Sequence, residues 1–316
     1  MSDYLWDKSG TPHPEVERLE RLLEPFRYRS GVKPIGPRRP RASMWVALGA
    51  AAAVLAAVGL WRMVRPVSEA WSVSVVRAEG PSRTMSLRSG QTLETASGET
   101  AHMSLAHVGN LDVEPSTLLR VVTSRSNQQR FALVRGTIHA HIGAAPRVFI
   151  VSTPSATATD LGCAYTLHVE PSGDGILRVT SGLIEFDWDG RRALVPSGAL
   201  ALTRVGTGPG TPFFGDASAA FRDALASFDF EPGTRSREAA LRVVLNSARR
   251  RDAVTLLNLV RTVDASRRAA VLERLAQLSP PPATVDMSAV VSGRFESLQP
   301  WWNALGLGHH PEVQLF

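Results

Sequence analysis

The sequence predicts a mainly β fold, either an antiparallel β-sandwich or a twisted β-roll, with a single transmembrane helix and an α-helical hairpin region at the C-terminus. Three observations support this prediction. An uncharged apolar run extends from Met44 to Trp61. Short alternating apolar runs, broken by turn residues, fill residues 70–205. After a segment rich in glycine and proline, the spacing of apolar residues becomes helical.

Composition is that of a folded protein. Of the 316 residues, 44% are hydrophobic and 20% are charged, and the formal net charge is +6. The basic residues are spread along the chain without an aromatic-interleaved stripe, so we expect no nucleic-acid partner. A single cysteine, Cys163, excludes an internal disulfide.

Residues 1–43 read as a short cytoplasmic tail with one amphipathic helix, from His13 to Arg29. A tail of this size cannot bury a core alone, so its apolar stripe needs a partner or lies on the membrane surface. An opening motif, Asp3 to Asp7, could be a docking anchor, and the alternative is a disordered terminus. The residues proposed for cytoplasmic docking are Tyr4, Leu5, Trp6, Leu19, Leu22 and Phe26.

Residues 44–64 are predicted to form the transmembrane helix. Met44 to Trp61 carries no charge, and Trp45 and Trp61 stand where interfacial aromatic residues are expected. A buried core helix is the first alternative, but a soluble helix of this length normally carries a polar stripe. A signal peptide is the second, but the segment before the apolar run is too long for a charged leader.

Flanking charge predicts the orientation of the span. Basic residues are more numerous before the span than after it, which favours a bacterial inner-membrane protein with a cytoplasmic N-terminus and periplasmic C-terminal domains. Gly49, Ala53 and Ala57 recur every fourth residue and form a small-residue face that could pair helices in a homodimer. The alternative is that the span is simply rich in alanine.

Residues 70–205 are predicted to form a periplasmic β domain. Alternating runs such as Tyr165 to Val169 are separated by turn pairs at intervals of eight to twelve residues, and about a dozen strands fit. Asp189-Gly190 predicts a tight hairpin between 184–188 and 192–195. No long helical pattern interrupts the strands, which excludes a parallel α/β sheet.

Residues 206–215 are predicted to be a Gly/Pro linker, and residues 216–316 a helical C-terminal region. The predicted helices cover 217–228, 235–250, 253–263, 265–278 and 295–305. Their tight connections favour antiparallel helical hairpins. Four aspartates stand where N-caps are expected, namely Asp216, Asp252, Asp264 and Asp286.

No constellation of residues predicts catalysis, so we expect neither an enzyme nor a cofactor or metal site. His139 and His141 share one strand face, but the opposite face is apolar and should point to the core, so the histidines should be surface residues. Cys163 has no basic cluster or helix N-terminus close in sequence and is expected to be buried and inert. The sequence contains no P-loop and no G-x-S-x-G elbow.

Several short motifs in the β region resemble the FecR-like domain of bacterial transmembrane signal transducers. Leu133-Val134-Arg135-Gly136-Thr137-Ile138, the stretch from Phe149 to Ala156, and Asp160-Leu161-Gly162 followed by Tyr165 are similar to family motifs in the same order. Val179 to Ile184 and the Ser197-Gly198 turn complete the resemblance. The motif residues expected to have structural roles are Gly136, Thr153, Asp160, Gly162 and Gly182. The glycines should lie where strands turn or backbones approach closely, and Thr153 and Asp160 should form hydrogen bonds with local backbone.

The resemblance implies that a periplasmic domain receives a signal and that the cytoplasmic segment controls an extracytoplasmic-function sigma factor. The implied partners are the membrane, a sigma factor, and a periplasmic or outer-membrane protein. This chain departs from the family pattern, because its tail is shorter and its C-terminal extension is helical. An envelope protein- or glycan-binding module without a transcriptional role is the alternative.

Overall fold

The computed structural model describes residues 10–26, 70–77, 81–125 and 127–307. The chain divides into two compact units, Met1–Arg65 and Pro66–Phe316. The transmembrane helix predicted for residues 44–64 lies outside the described residues. Among the described residues, no helix is both long enough and apolar enough to cross a membrane.

Helix α1 spans Pro14–Leu23 and continues as a 3₁₀ turn, Glu24–Phe26. Pro14 opens the helix, where its missing N–H is not needed. Glu15 and Glu17 lie in the first turn and Arg21 in the last, in accord with the helix dipole. The predicted helix is therefore confirmed from its first turn to Phe26, and its expected end at Arg29 lies outside the described residues.

The strands of the second unit follow one another with short turns. They are β1 Trp71–Arg77, β2 Arg83–Leu87, β3 Thr92–Glu94, β4 Glu99–Ser104, β5 Gly109–Val113, β6 Leu118–Arg125, β7 Gln128–Ile142, β8 Phe149–Ser152, β9 Thr157–Asp160, β10 Ala164–Val169, β11 Gly175–Ser181, β12 Leu183–Trp188, β13 Arg191–Pro196, β14 Ala199–Arg204, β15 Gly208–Pro209 and β16 Phe213–Phe214. The prediction of a mainly β fold is confirmed.

Two sheets share the long strand β7. The first half of β7 pairs with β6 and β8, in a sheet ordered β3-β6-β7-β8-β9-β12-β13. From Gly136 onward, β7 pairs with β5 and β10, in a sheet ordered β2-β1-β4-β5-β7-β10-β11-β14. The described pairings are antiparallel except β7 with β8, which is parallel and was not predicted.

The β12–β13 hairpin forms as predicted. Trp188 pairs with Arg191, so Asp189 and Gly190 are the two turn residues. Both have positive φ, 46° and 79°, as a two-residue type I′ turn requires. Strand β13 is the last strand of its sheet in the described structure.

The C-terminal region is helical, as predicted. Its helices are α2 Ala219–Phe230, α3 Thr234–Ser247, α4 Ala253–Thr262, α5 Ala265–Leu278, α6 Met287–Val291 and α7 Gln299–Ala304. The last predicted helix, 295–305, is a 3₁₀ turn, Phe295–Leu298, followed by α7. Apolar side chains of the helices join those of the strands in one continuous core, in which Trp301 and Trp302 are fully buried.

Residues 206–215 differ from the predicted linker. They contribute β15 and β16, which both pair with β14. Phe213 and Phe214 are buried, so the segment extends the sheet and the core instead of separating two domains. The glycines and prolines that indicated a linker serve tight turns, because Gly206 and Gly208 both have positive φ.

The predicted N-caps are confirmed at two of four positions. Asp264 and Asp286 accept hydrogen bonds from the backbone N–H groups of Arg267 and Ala289. The prediction for Asp216 is wrong, because Ser218 caps α2 and Asp216 forms ion pairs with arginines instead. Asp252 makes no cap bond to α4, since its carboxylate binds Arg249.

Two buried polar side chains hold the helices against the hairpin. Asn258 on α4 accepts a hydrogen bond from the backbone N–H of Leu194 at 2.8 Å and donates to its carbonyl at 3.2 Å. Asp229 on α2 binds Arg191 at 2.5 Å and accepts from the N–H of Thr211 at 2.6 Å. The helices thus pack against the edge strand β13 and satisfy both backbone groups of Leu194.

Candidate interaction site

Helix α1 and its 3₁₀ turn expose a row of large apolar side chains, which we call the α1 stripe. Leu19, Leu22, Leu23 and Phe26 are 57%, 63%, 62% and 82% exposed. Their spacing places them along one side of the helix. No residue of the helix is buried. The predicted docking residues Leu19, Leu22 and Phe26 therefore come together on one accessible surface.

The α1 stripe is suited to a hydrophobic partner. An amphipathic helix commonly lays such a face into an apolar groove of another protein or on a membrane surface. Arg21 and Glu17 form an exposed ion pair at 3.6 Å on the other side of the helix. Tyr4, Leu5 and Trp6, and the helix-pairing face Gly49, Ala53 and Ala57, lie outside the described residues.

The motif glycines occupy positions where a side chain would not fit. Gly136 lies where β7 passes from one sheet to the other, with φ of 94°, and a Cβ there would be 2.2 Å from Thr117 Oγ1. Gly182 has φ of 81°, and its Cβ would be 2.1 Å from the carbonyl oxygen of Gly162. Gly162 also has positive φ, 94°. The predicted close approach of backbones is present at these turns.

Thr153 and Asp160 make the local hydrogen bonds that the sequence predicts. The Thr153 hydroxyl accepts from the N–H of Ala156 at 2.9 Å and donates to the carbonyl of the same residue. Asp160 Oδ1 accepts from the N–H of Gly162 at 2.6 Å. Both side chains are buried, so they fix the turns at either end of β9.

Asp160 is the centre of a buried titratable cluster. Burial raises its pKa to about 7, although hydrogen bonds from Gly162 and Cys163 oppose this. Burial also raises the pKa values of the Cys163 thiol and of Tyr165, and the nearby Asp160 carboxylate adds to both. Cys163 Sγ donates to the carbonyl of Leu183 at 2.7 Å. The thiol is buried, as predicted, and stays in its unreactive protonated form.

The histidines of β7 lie on the outer face of their sheet, as predicted. His139 Nε2 is 2.6 Å from Glu114 Oε1, and its Nδ1 is 2.9 Å from Thr166 Oγ1. His141 is exposed. On the neighbouring strands, His102 Nδ1 is 2.5 Å from Asp112 Oδ1. Within the described ranges, no group of three or more histidine, cysteine or acidic side chains is arranged to hold a metal ion.

Sequence reasoning missed the polar residues between hairpin and helices. Asp229 and Asn258 interrupt the apolar runs LASFDF and LLNLV, at positions that helical spacing assigns to the core. A polar residue at a core position signals a specific buried partner. Several arginines gather in the same region, and no local pattern predicts this because they come from three separate segments of the chain.

Comparison with known families assigns the central part of the β region. Residues 91–185 match the family model described as FecR protein. The resemblance drawn from the motifs is therefore confirmed over these residues. No curated protein matches the chain.

Among solved structures, two crystal structures of a candidate anti-sigma factor from Parabacteroides distasonis ATCC 8503 are similar to this chain. The identities are 15% and 16%, each match covers 43% of this chain, and the TM-score is 0.34 in both cases. The matches cover 65% and 64% of those chains, which is less than two thirds of their length.

Proposed function

From the premise that residues 91–185 form a FecR domain, we propose that the chain is a membrane-anchored signal transducer. In this proposal the FecR domain receives a signal outside the inner membrane. The cytoplasmic tail then regulates an extracytoplasmic-function sigma factor. The observation that carries the proposal is that the chain combines the FecR domain with the α1 stripe, an accessible apolar surface near the N-terminus.

The proposed organisation follows the hydropathy of the chain. Residues 1–43 are the cytoplasmic tail, 44–64 the transmembrane helix, and 70–316 the periplasmic part. The apolar run from Met44 to Trp61 and the excess of basic residues before it support this topology. An alkaline phosphatase fused after Phe316 should be active in the source bacterium, and an inactive fusion would contradict the orientation.

The α1 stripe is the proposed contact for the sigma factor. Four large apolar side chains remain exposed, three on the ten-residue helix and Phe26 on the 3₁₀ turn that follows it, and burying each would stabilise a complex by at most about 1.5–3 kcal/mol. Tyr4, Leu5 and Trp6 are proposed as further anchors. Gly49, Ala53 and Ala57 are proposed to pair two spans, which would carry the signal across the membrane.

The test is capture of a sigma factor by the full chain in detergent micelles. Lysate of the source bacterium is passed over immobilised wild type, over a Leu19→Asp/Leu22→Asp variant and over an Arg21→Gln variant, and retained sigma factors are identified by mass spectrometry. Arg21→Gln is the matched control, because it also makes the net charge more negative but lies on the other side of α1.

We expect wild type and Arg21→Gln to retain the same sigma factor and Leu19→Asp/Leu22→Asp to lose it, since carboxylates on the stripe cannot enter an apolar groove. Retention of no sigma factor by the wild type would contradict the proposal. Equal retention by all three proteins would also contradict the assignment of the contact to the α1 stripe.

A further inference from the structure

A cleft of about 460 Å³ lies between the β12–β13 hairpin and the helical region. Its walls come from the hairpin turn at Asp189, from Arg237 on α3, from Arg261 and Thr262 at the end of α4, and from Phe295. The volume is within the range of sites for small molecules. We call this region the arginine cleft.

Guanidinium groups dominate the lining of the arginine cleft. Arg191, Arg192, Arg237 and Arg261 all line it, whereas Asp189 supplies the one carboxylate among the described residues of the lining. Two of these arginines pair with carboxylates that are buried and do not line the cleft. Asp229 binds Arg191, and Glu185 binds Arg192. These pairs fix the guanidinium groups in position without placing negative charge in the cleft.

Arg237 is held by contacts that leave its far edge available. Its Nε donates to the carbonyl of Phe228 at 3.0 Å, and its guanidinium carbon lies 4.8 Å from the centre of the Phe228 ring. Stacking and one anchored nitrogen fix the plane of the group. The two terminal nitrogens can then donate in parallel, which is the geometry that a carboxylate or phosphate accepts.

The electrostatics of the cleft favour an anion. Burial, together with the positive charge of Arg192, lowers the pKa of Arg261, and the negative charge of Glu185 opposes this shift only in part. The guanidinium groups of Arg192 and Arg261 therefore repel each other where Arg261 is partly shielded from water. A bound anion would relieve this repulsion. A second cavity of about 340 Å³ shares Arg237 and Thr262 with the cleft and reaches Gly233, where α3 begins without a side-chain cap.

We infer that the arginine cleft binds a phosphate-bearing ligand, recognised by paired donors of Arg237 and Arg261. The inference goes beyond the proposed function, since it concerns neither the α1 stripe nor transcription. Phosphate fits because its oxygens accept parallel hydrogen bonds from guanidinium groups, and Phe295 can contact an apolar part of the ligand. The same chemistry is offered by a free phosphate compound and by the headgroup of an anionic phospholipid.

The experiment is calorimetric titration of the full chain in detergent micelles with pyrophosphate, dihexanoyl phosphatidylglycerol and dihexanoyl phosphatidylcholine. The variants are Arg237→Gln, Arg261→Lys and the control Arg242→Gln, an exposed arginine of α3 that does not line the cleft. Thermal unfolding of each variant verifies that it is folded. Arg261→Lys keeps the positive charge but removes the parallel N–H donors of the guanidinium group, so it still tests the inference if Arg237→Gln does not fold.

We expect pyrophosphate or the phosphatidylglycerol to bind, with affinity about tenfold or more weaker in Arg237→Gln and Arg261→Lys and unchanged in Arg242→Gln. Preference for pyrophosphate supports a free phosphate compound, and preference for phosphatidylglycerol over phosphatidylcholine supports a headgroup. No binding of any probe would overturn the inference. Equal weakening by Arg242→Gln and Arg237→Gln would also overturn it, because only general charge attraction would then remain.

Discussion

Replacement of Asn258 by alanine tests how the helices are held to the edge of the β region. Asn258 is 3% exposed and bonds both backbone groups of Leu194, as well as the carbonyl of Val254 at 2.9 Å. Asn258→Ala leaves the N–H and carbonyl of Leu194 buried and without these partners. Each such group costs about 1–3 kcal/mol, so we expect a total loss of about 2–6 kcal/mol in the free energy of unfolding.

The assay is urea unfolding of the full chain in detergent micelles, followed by circular dichroism, with hydrogen exchange of the Leu194 amide as a local measurement. The matched control is Asn246→Ala, an exposed asparagine of α3, which should change stability by no more than about 0.5 kcal/mol. We expect faster exchange at Leu194 only in Asn258→Ala. If Asn258→Ala were as stable as the control and exchange at Leu194 were unchanged, the reasoning would be refuted.

Three further predictions concern two of the motif residues and the neighbouring Cys163. In thermal unfolding, Gly182→Ala should destabilise the fold by more than the ~1–2 kcal/mol that a positive φ alone costs, because its Cβ would meet the backbone of Gly162. Gly98→Ala is the control, since Gly98 has a similar φ but open space around it, and it should show the cost of φ alone. Equal losses in the two variants would contradict the close approach. The pKa of Asp160 is raised from 3.8 to about 7, so the native state holds this proton more tightly than the unfolded chain, and stability should fall by up to roughly 4 kcal/mol as pH rises from 4 to 7 and stay level above. In Asp160→Asn, the free energy of unfolding should no longer fall in this way between pH 4 and 7. A pH dependence identical to that of the wild type would contradict the raised pKa. Cys163 should resist iodoacetamide in the native protein and react only after denaturation, since the thiol is buried and its pKa is raised; rapid native labelling would disprove this.

The local features of the β region were predictable because they depend on neighbours in sequence. The Asp189-Gly190 hairpin follows from turn residues that tolerate positive φ. The outward His139 and inward Ile138 follow from strand alternation. The α1 stripe follows from helical spacing, and its exposure agrees with a tail too small to bury it.

The features that were not predicted depend on contacts between distant segments. Residues 206–215 read as a linker by composition, yet Phe213 and Phe214 pair with β14 because an open sheet edge was available beside them. Asp216 looked like a cap, but Arg249 and Arg251 of the connection between α3 and α4 compete for its carboxylate. The arginine cleft joins residues from β13, α3 and α4, which no single window of sequence brings together.

The central claim is that the tail controls a sigma factor through the α1 stripe, and transcript profiling of the source bacterium tests it most directly. Cells would carry the wild-type gene, a deletion of residues 1–43, Leu19→Asp/Leu22→Asp, or Arg21→Gln, at matched protein levels. We predict that the deletion and the double variant change the same set of transcripts, sharing one promoter class, and that Arg21→Gln matches the wild type. Identical transcription in all four strains would contradict the account.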